Sequence, residues 1–407
     1  MKKLVLAVSI FIAYNLQAQV KLDKGIMMEK KNAFYDSIIR MNDAYSEPKS
    51  ASKKMELKMD FSGLDYPKSI NDFKTIKAIN PVSQGNTGTC WSFSSISFYE
   101  AEIARLTGSV IDLSEMYNVY WQYVEKAKEF VRTRGTSVFD EGSESNATQL
   151  MMKKYGTVPA YAYTGMKDGQ PFQDHSKMAD EMKAYLQSIK NNNAWNTDEV
   201  VVTIKSIMNF YMGTPPTTVE WKGVNMSPQD FMKNICKLNP DDYVELMSFA
   251  NVPYWTKQEY AVPDNWWHSK DYINIPLDVY MSTLKKAAAN GISAVIGGDV
   301  SNEPGMYNKF GIAVVPSFDI PSAYIDENAR LFRFLNGTTT DDHGMHMVGY
   351  CEKPNGIWFL IKDSGSNGHN NINADGYWFM HEDYVKLKMT TYTVPKSLVK
   401  DILEKVK

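Results

Sequence analysis

A cysteine that closes a short polar loop and opens an apolar run is the first place in this chain where chemistry can be read. The stretch is Gln84-Gly85-Asn86-Thr87-Gly88-Thr89-Cys90, and the run from Trp91 to Leu106 reads as a helix. A thiol at a helix N-terminus ionises more easily, because unpaired backbone N–H groups and the macrodipole favour negative charge there. The thiolate is the nucleophile. Gln84 can offer an amide N–H to an oxyanion forming near the sulfur, and Gly85 and Gly88 let the loop turn tightly. Such a nucleophile needs an imidazole within hydrogen-bond reach and a third group that holds the ring in one tautomer. Two histidines, His343 and His346, stand in one downstream run that reads as a strand. Residues three apart in a strand point to opposite faces, so only one of them can look into a cleft, and the pair does not make a metal site.

The residues Thr87-Gly88-Thr89-Cys90-Trp91 resemble the nucleophile signature of the papain-like cysteine peptidases, without that signature's outer disulfide cysteine. Asp342-His343-Gly344-Met345-His346-Met347-Val348-Gly349-Tyr350 resembles the family's histidine strand, and Gly349-Tyr350 sets the register that selects His343. Lys362-Asp363-Ser364-Gly365 resembles the family's Lys-Asn-Ser-Trp, and Asp375-Gly376-Tyr377-Trp378-Phe379 its later Gly-Tyr strand. The resemblance implies Cys90 as nucleophile, His343 as base and acid, Asp363 as orienter, and Gln84 with the Cys90 N–H as oxyanion donors. It also matches Glu141-Gly142-Ser143 to paired glycines lining the substrate cleft. Gly142 and Ser143 are therefore substrate-wall candidates, with loop punctuation as the competing reading, and Asp342 and Gly344 beside His343 join them as substrate-binding candidates. Two departures stand out. Asp363 replaces an asparagine, and its charge should raise the histidine pKa. Gly365 replaces the tryptophan that shields the histidine–orienter bond, leaving Trp358 or Trp378 to do so.

In simple papain-like enzymes the cysteine and histidine lie ~130–150 residues apart; here they are 253 apart. The excess resembles the helical insertion of the bleomycin hydrolase and aminopeptidase C branch. Lys154-Tyr155-Gly156-Thr157-Val158-Pro159 and Ala294-Val295-Ile296-Gly297-Gly298-Asp299-Val300 also fit that branch. Its members carry a C-terminal tail that lies in the cleft and restricts them to free N-termini. Here the chain ends in an amphipathic stretch, Val399–Lys407, with no such tail, and the expectation is a cleft open at both ends. Relatives in that branch form hexamers; a homo-oligomer is left open here.

The expected fold is α+β: a helical lobe with Cys90, an antiparallel, barrel-like β lobe with His343 and Asp363, and an inserted helical subdomain. The divisions are residues 1–18 as a signal peptide, 19–79 as an N-terminal arm or short propeptide, 80–158 as the helical lobe, 159–276 as the insertion and 277–407 as the β lobe. Lys2, Lys3, the apolar run Leu4–Ala13 and the small-residue exit at Ala18 describe a secretory signal, with the mature chain periplasmic or secreted. Removing both lysines takes the formal net charge from -3 to -5, which gives no reason to expect nucleic acid as a partner. No stretch is long enough for a membrane span. An apolar content of 43% supports a large core. Cys236 and Cys351 either pair or are small buried residues. No cofactor and no metal is called for; the partners are peptide or protein substrates. A papain-fold binding or scaffold protein with impaired chemistry is the alternative, and acyl transfer to an amine is a weaker third reading.

Overall fold

The elements that must hold Cys90 and His343 form where local sequence favours them. In the computed structural model, which describes residues 23–43, 55–301 and 303–407, the nucleophile begins the helix Cys90–Thr107. That helix ends at Gly108, whose φ of 75° suits the left-handed cap that glycine adopts without steric cost. Helix Glu115–Arg132 follows, capped by the Ser114 hydroxyl, which accepts from the Tyr117 N–H at 3.0 Å. Helix Ser145–Tyr155 ends at Gly156, where any Cβ would lie 2.3 Å from the Pro228 carbonyl carbon. The signal-peptide assignment lies outside the described residues.

A large mixed sheet carries the histidine. Edge to edge its strands are Met306–Tyr307, Ile312–Ala313, Tyr377–His381, Gly356–Lys362, His343–Lys353, Ala294–Gly298, Met389–Pro395, Tyr243–Met247, Tyr272–Asn274 and Thr256–Gln258. The short strand Lys74–Thr75 also pairs with His343–Lys353. His343 sits opposite Gly298, and His346 is opposite both Val295 and Lys362. Asp363 follows strand Gly356–Lys362 directly, so the register that places His343 places Asp363 too.

Two expectations are corrected. The β half is not an all-antiparallel barrel. Ile312–Ala313 runs parallel to Tyr377–His381, and Tyr243–Met247 parallel to Tyr272–Asn274, within an ordered row of strands. Nor is the insertion expected over 159–276 wholly helical. Its helices Ser176–Asn192 and Thr197–Met212 bury Met178, Met182, Ile204 and Met208 in one core with Trp91, Phe98 and Tyr120 of the Cys90 region. Three of its later segments, Tyr243–Met247, Thr256–Gln258 and Tyr272–Asn274, belong to the main sheet. Tyr243–Met247 and Tyr272–Asn274 are buried throughout, so they lack the polar alternation that marks a half-exposed strand.

A second core lies under the sheet, built by Leu246, Ile273, Ile296, Met345, Ile361, Trp378 and Tyr392. Each such side chain contributes about 1.5–3 kcal/mol on full burial. The C-terminal helix is short, Lys400–Leu403; Ile402 is buried in this second core, and the Lys407 N–H donates to the Trp255 carbonyl. All three cysteines are free, with Cys236 in the helical core and Cys351 in a third cluster beside Trp358. At the N-terminus, strands Gly25–Glu29 and Met55–Met59 pair with each other, and helix Ala33–Asp43 lies between them in sequence.

Candidate active site

The loop before Cys90 is tied into one shape by its own polar atoms. The Gln84 side-chain amide donates to the Thr87 carbonyl at 2.6 Å, and the Thr87 hydroxyl donates to the Gln84 carbonyl at 2.8 Å. Ser364 holds the other side of Gln84. Its carbonyl accepts the Gln84 N–H at 2.9 Å, and its hydroxyl donates to the Gln84 side-chain oxygen at 2.8 Å. With that oxygen occupied and one amide N–H spent on Thr87, the second N–H is the donor left for an oxyanion. Gly85 has φ +67°, and a Cβ there would lie 2.3 Å from the Gln173 carbonyl oxygen, so only glycine fits this turn. Thr89 is the residue before the helix, and its side chain does not cap it; the Cys90 sulfur therefore begins a helix whose first N–H groups have no side-chain acceptor from that position.

His343 and Asp363 meet at the other wall. Nε2 of His343 lies 2.6 Å from Oδ1 of Asp363, and the ring is also in hydrogen-bonding contact with Cys90. Since Nε2 is taken, Nδ1 is the nitrogen available to the sulfur. Burial opposes charge on the His343 ring, but the Asp363 carboxylate and the Cys90 sulfur outweigh it and hold the imidazolium well above its ordinary range. Burial likewise opposes the Asp363 charge; His343, the Gly365 N–H at 2.8 Å and the Trp378 indole N–H at 2.8 Å overcome it and hold this carboxyl below its usual value. Of the two tryptophans considered as substitutes for the absent one, Trp378 reaches Asp363, whereas the Trp358 indole donates to Asn355. Gly365 packs closely against the pair, since a Cβ there would lie 3.1 Å from His343 Nε2. His346 has gone to the opposite side, buried with its Nδ1 2.8 Å from the Ser97 hydroxyl.

The cleft between these walls has a volume of about 540 Å³ and is lined by Gln84, Gly88, Glu141, Asp342, His343 and Asp363, among others. A smaller cavity of about 30 Å³ adjoins it at Cys90, His343, Gly344 and Ser143. The substrate-binding candidates separate here. Ser143 and Gly344 line the small cavity, and Asp342 lines both spaces. The Asp342 carboxylate accepts the Val300 N–H at 2.9 Å, which holds the adjoining loop. Gly344 also lets the strand approach the helix, since a Cβ would lie 3.0 Å from the Ser94 hydroxyl. Gly142 is packed instead: Asp264 fills the space its Cβ would take, at 2.2 Å. Sequence reasoning did not single out Ser364, although its place after Asp363 was visible, nor the acids Glu144, Asp264 and Asp341 around the small cavity. The N-terminal segment lies along the cleft. Asn32 donates to Ser366 and Asn367 at 2.9 and 2.8 Å, Phe34 stacks on His369, and Tyr35 forms part of the cleft lining.

The chain is similar to known proteins. Cysteine proteinase 15A of Pisum sativum is 25% identical over 242 residues, covering 54% of this chain and 62% of that protein. The chain thus spans less than two thirds of that relative's length. A solved structure of pepw from Lactobacillus rhamnosis HN001 (DR20) superposes with a TM-score of 0.65 at 16% identity, covering 82% of this chain and 84% of the other, a likeness of fold. The Peptidase C1-like family model matches residues 67–407, which include every candidate catalytic residue, and the chain belongs to that family.

Proposed function

We propose that this chain is a thiol peptidase of the bleomycin hydrolase and aminopeptidase C kind, hydrolysing peptide bonds through an acyl-enzyme on Cys90. The observation that carries the reading is the unbroken line of contacts from Cys90 through His343 and Asp363 to Trp378. In the first half-reaction the Cys90 thiolate attacks the peptide carbonyl carbon, and the oxygen takes its negative charge between the Cys90 N–H and the free Gln84 amide N–H. The His343 imidazolium gives its proton to the departing amine as the C–N bond breaks. In the second, His343 takes a proton from water, the resulting hydroxide attacks the thioester, and the thiolate and imidazolium are restored as the acid leaves.

The scaffold reading was motivated by Asp363 in place of asparagine and Gly365 in place of tryptophan. Asp363 makes the bond an orienter must make, and Trp378 donates to it from the neighbouring strand, which supports the catalytic reading. Export before action remains part of the proposal, and mass measurement of the mature N-terminus tests it. The catalytic test is Cys90→Ala, which should remove turnover of fluorogenic peptides. Iodoacetamide near pH 6 should label Cys90 ahead of Cys236 and Cys351, whose thiols burial pushes up to about 12 and about 11. Full turnover by the Cys90→Ala protein would overturn the assignment.

A further inference from the structure

The N-terminal segment is bonded to both walls of the cleft. On the Asp363 side, the Asn32 amide donates to the Ser366 hydroxyl at 2.9 Å and to the Asn367 side-chain oxygen at 2.8 Å. Its own oxygen accepts from the Asn370 amide at 2.6 Å and from the Tyr35 N–H at 3.0 Å. Those four bonds fill the donor and acceptor capacity of one amide group. The Phe34 N–H adds a bond to the Asn370 side-chain oxygen at 2.9 Å, and the Phe34 ring stacks on His369 with centroids 4.6 Å apart. On the Cys90 side, Phe34 meets Phe172 edge-on at 5.9 Å, and the Tyr35 hydroxyl donates to the Asn86 side-chain oxygen at 3.2 Å. Asn86 belongs to the loop that Cys90 closes, and its N–H donates to the Gln173 carbonyl at 2.8 Å, so both contacts fall on one wall.

The flanks of the segment are built into the molecule as well. Strand Gly25–Glu29 pairs along its length with Met55–Met59. Asp23 and Ser317 bond twice, each N–H donating to the other's side-chain oxygen at 2.6 Å. Met59 is buried in one cluster with Phe73 and Trp358, and its N–H donates to the Pro304 carbonyl at 2.8 Å.

We propose that Asn32, Phe34 and Tyr35 form a permanent strap across the cleft, which stops a bound peptide there and fixes how many residues can extend past the cut bond on that side. The inference rests on the peptidase reading and adds a length limit to its substrate. Tyr35 lines the same space of about 540 Å³ as Gln84, His343 and Asp363, so the stop stands inside the groove that receives the peptide. An extended chain advances about 3.3 Å with each residue, and a strap tied to both walls leaves it no path onward between them. The expectation of a cleft open at both ends then gives way to a cleft closed at one, by a part of this chain that lies ahead of the nucleophile.

The experiment uses the full chain and unlabelled peptides built around one cleavable bond, lengthened one residue at a time on either side, with products read by mass spectrometry. On one side kcat/KM should fall by about tenfold or more once a set length is passed, while the other side tolerates extension. Asn32→Ala and Phe34→Ala should each bring the long peptides back toward the short-peptide rate and leave the short-peptide rate unchanged. Rates independent of length on both sides would overturn the proposal, and so would a limit that both variants keep. The mass of the active wild-type enzyme must also include residues 32–35; activity confined to a form that has lost them makes the segment a removable cover and ends the proposal. Labelling of Cys90 by peptides carrying an internal epoxide, extended on either side, reads the same limit without turnover. A protein that cleaves no peptide but labels faster with short reagents than with long ones loses the peptidase reading and keeps the strap. Labelling that ignores length on both sides removes the strap by itself.

Discussion

His343 and His346 lie on one strand, three residues apart, and the protein treats them in opposite ways. His343 faces the cleft with Asp363 on one nitrogen and Cys90 within reach of the other. His346 faces the helical core, where Ser97 meets one nitrogen, the edge of Phe98 approaches its ring and the other nitrogen has no partner. Both rings are largely removed from water, and burial by itself favours the neutral form of each. Asp363 lies beside His343, whose pKa is raised; at His346 burial acts first and the nearby Lys362 adds to it, so the pKa falls well below the ordinary value. Proximity of opposite charge, rather than depth, decides which histidine can serve as a proton donor.

The comparison can be broken most directly by His343→Gln, which should lower kcat by about 10⁴-fold or more, measured on any peptide the wild type cleaves. A loss under tenfold would mean that His343 is not the base. Asp363→Asn comes next. It keeps an acceptor for the ring but removes the charge that raises the His343 pKa, so the alkaline limb of kcat/KM should move to lower pH, with a plateau loss of about tenfold. An unmoved limb would show that the carboxylate does not sustain the imidazolium. Trp378→Phe removes one donor to Asp363 and should cost about 1–2 kcal/mol of stability with a few-fold loss in kcat/KM. Smallest in activity is His346→Leu, expected to change kcat/KM by less than about threefold while costing roughly 1–3 kcal/mol in a denaturant melt. A large catalytic loss there would erase the distinction between the two rings.

The same pair sets a pH window for stability. His343 has a raised folded pKa, so its contribution is full below the ordinary 6.5 and is lost as pH rises through the folded value. Asp363 has a depressed folded pKa, so its contribution is present above the ordinary 3.8 and is lost as pH falls through the folded value. Thermal melts of the wild type minus those of Asp363→Asn should therefore differ most between those limits and converge at both extremes.

The Cys90 helix was legible because an apolar run begins directly after the polar loop that the cysteine closes. Helix Thr197–Met212 was missed inside a stretch rich in polar and aromatic residues, though Asn196 caps it by accepting from the Asp198 and Glu199 N–H groups. The strands between 243 and 274 were hidden because they are short and two of them are buried on both faces. In the site, residue types announced Cys90, His343 and Asp363. The roles of Ser364 and Trp378 depend on which strand lies beside which, and of the two readings open for Gly142, substrate wall or loop punctuation, the packing of Asp264 against it favours the second.

What the linear chain settled is the inventory of the chemistry: a thiol at a helix start, an imidazole in a strand, a carboxyl one strand further on, and an amide ahead of the sulfur. Those depend on side-chain identity and local periodicity, which are short-range properties. The tertiary structure alone decided which tryptophan covers the acid, which histidine meets it, and that three further carboxyls gather beside the sulfur. Such choices follow from sheet order and helix packing between residues hundreds of positions apart, where contact and mutual field, neither of them written in any local pattern, set the charge of each group.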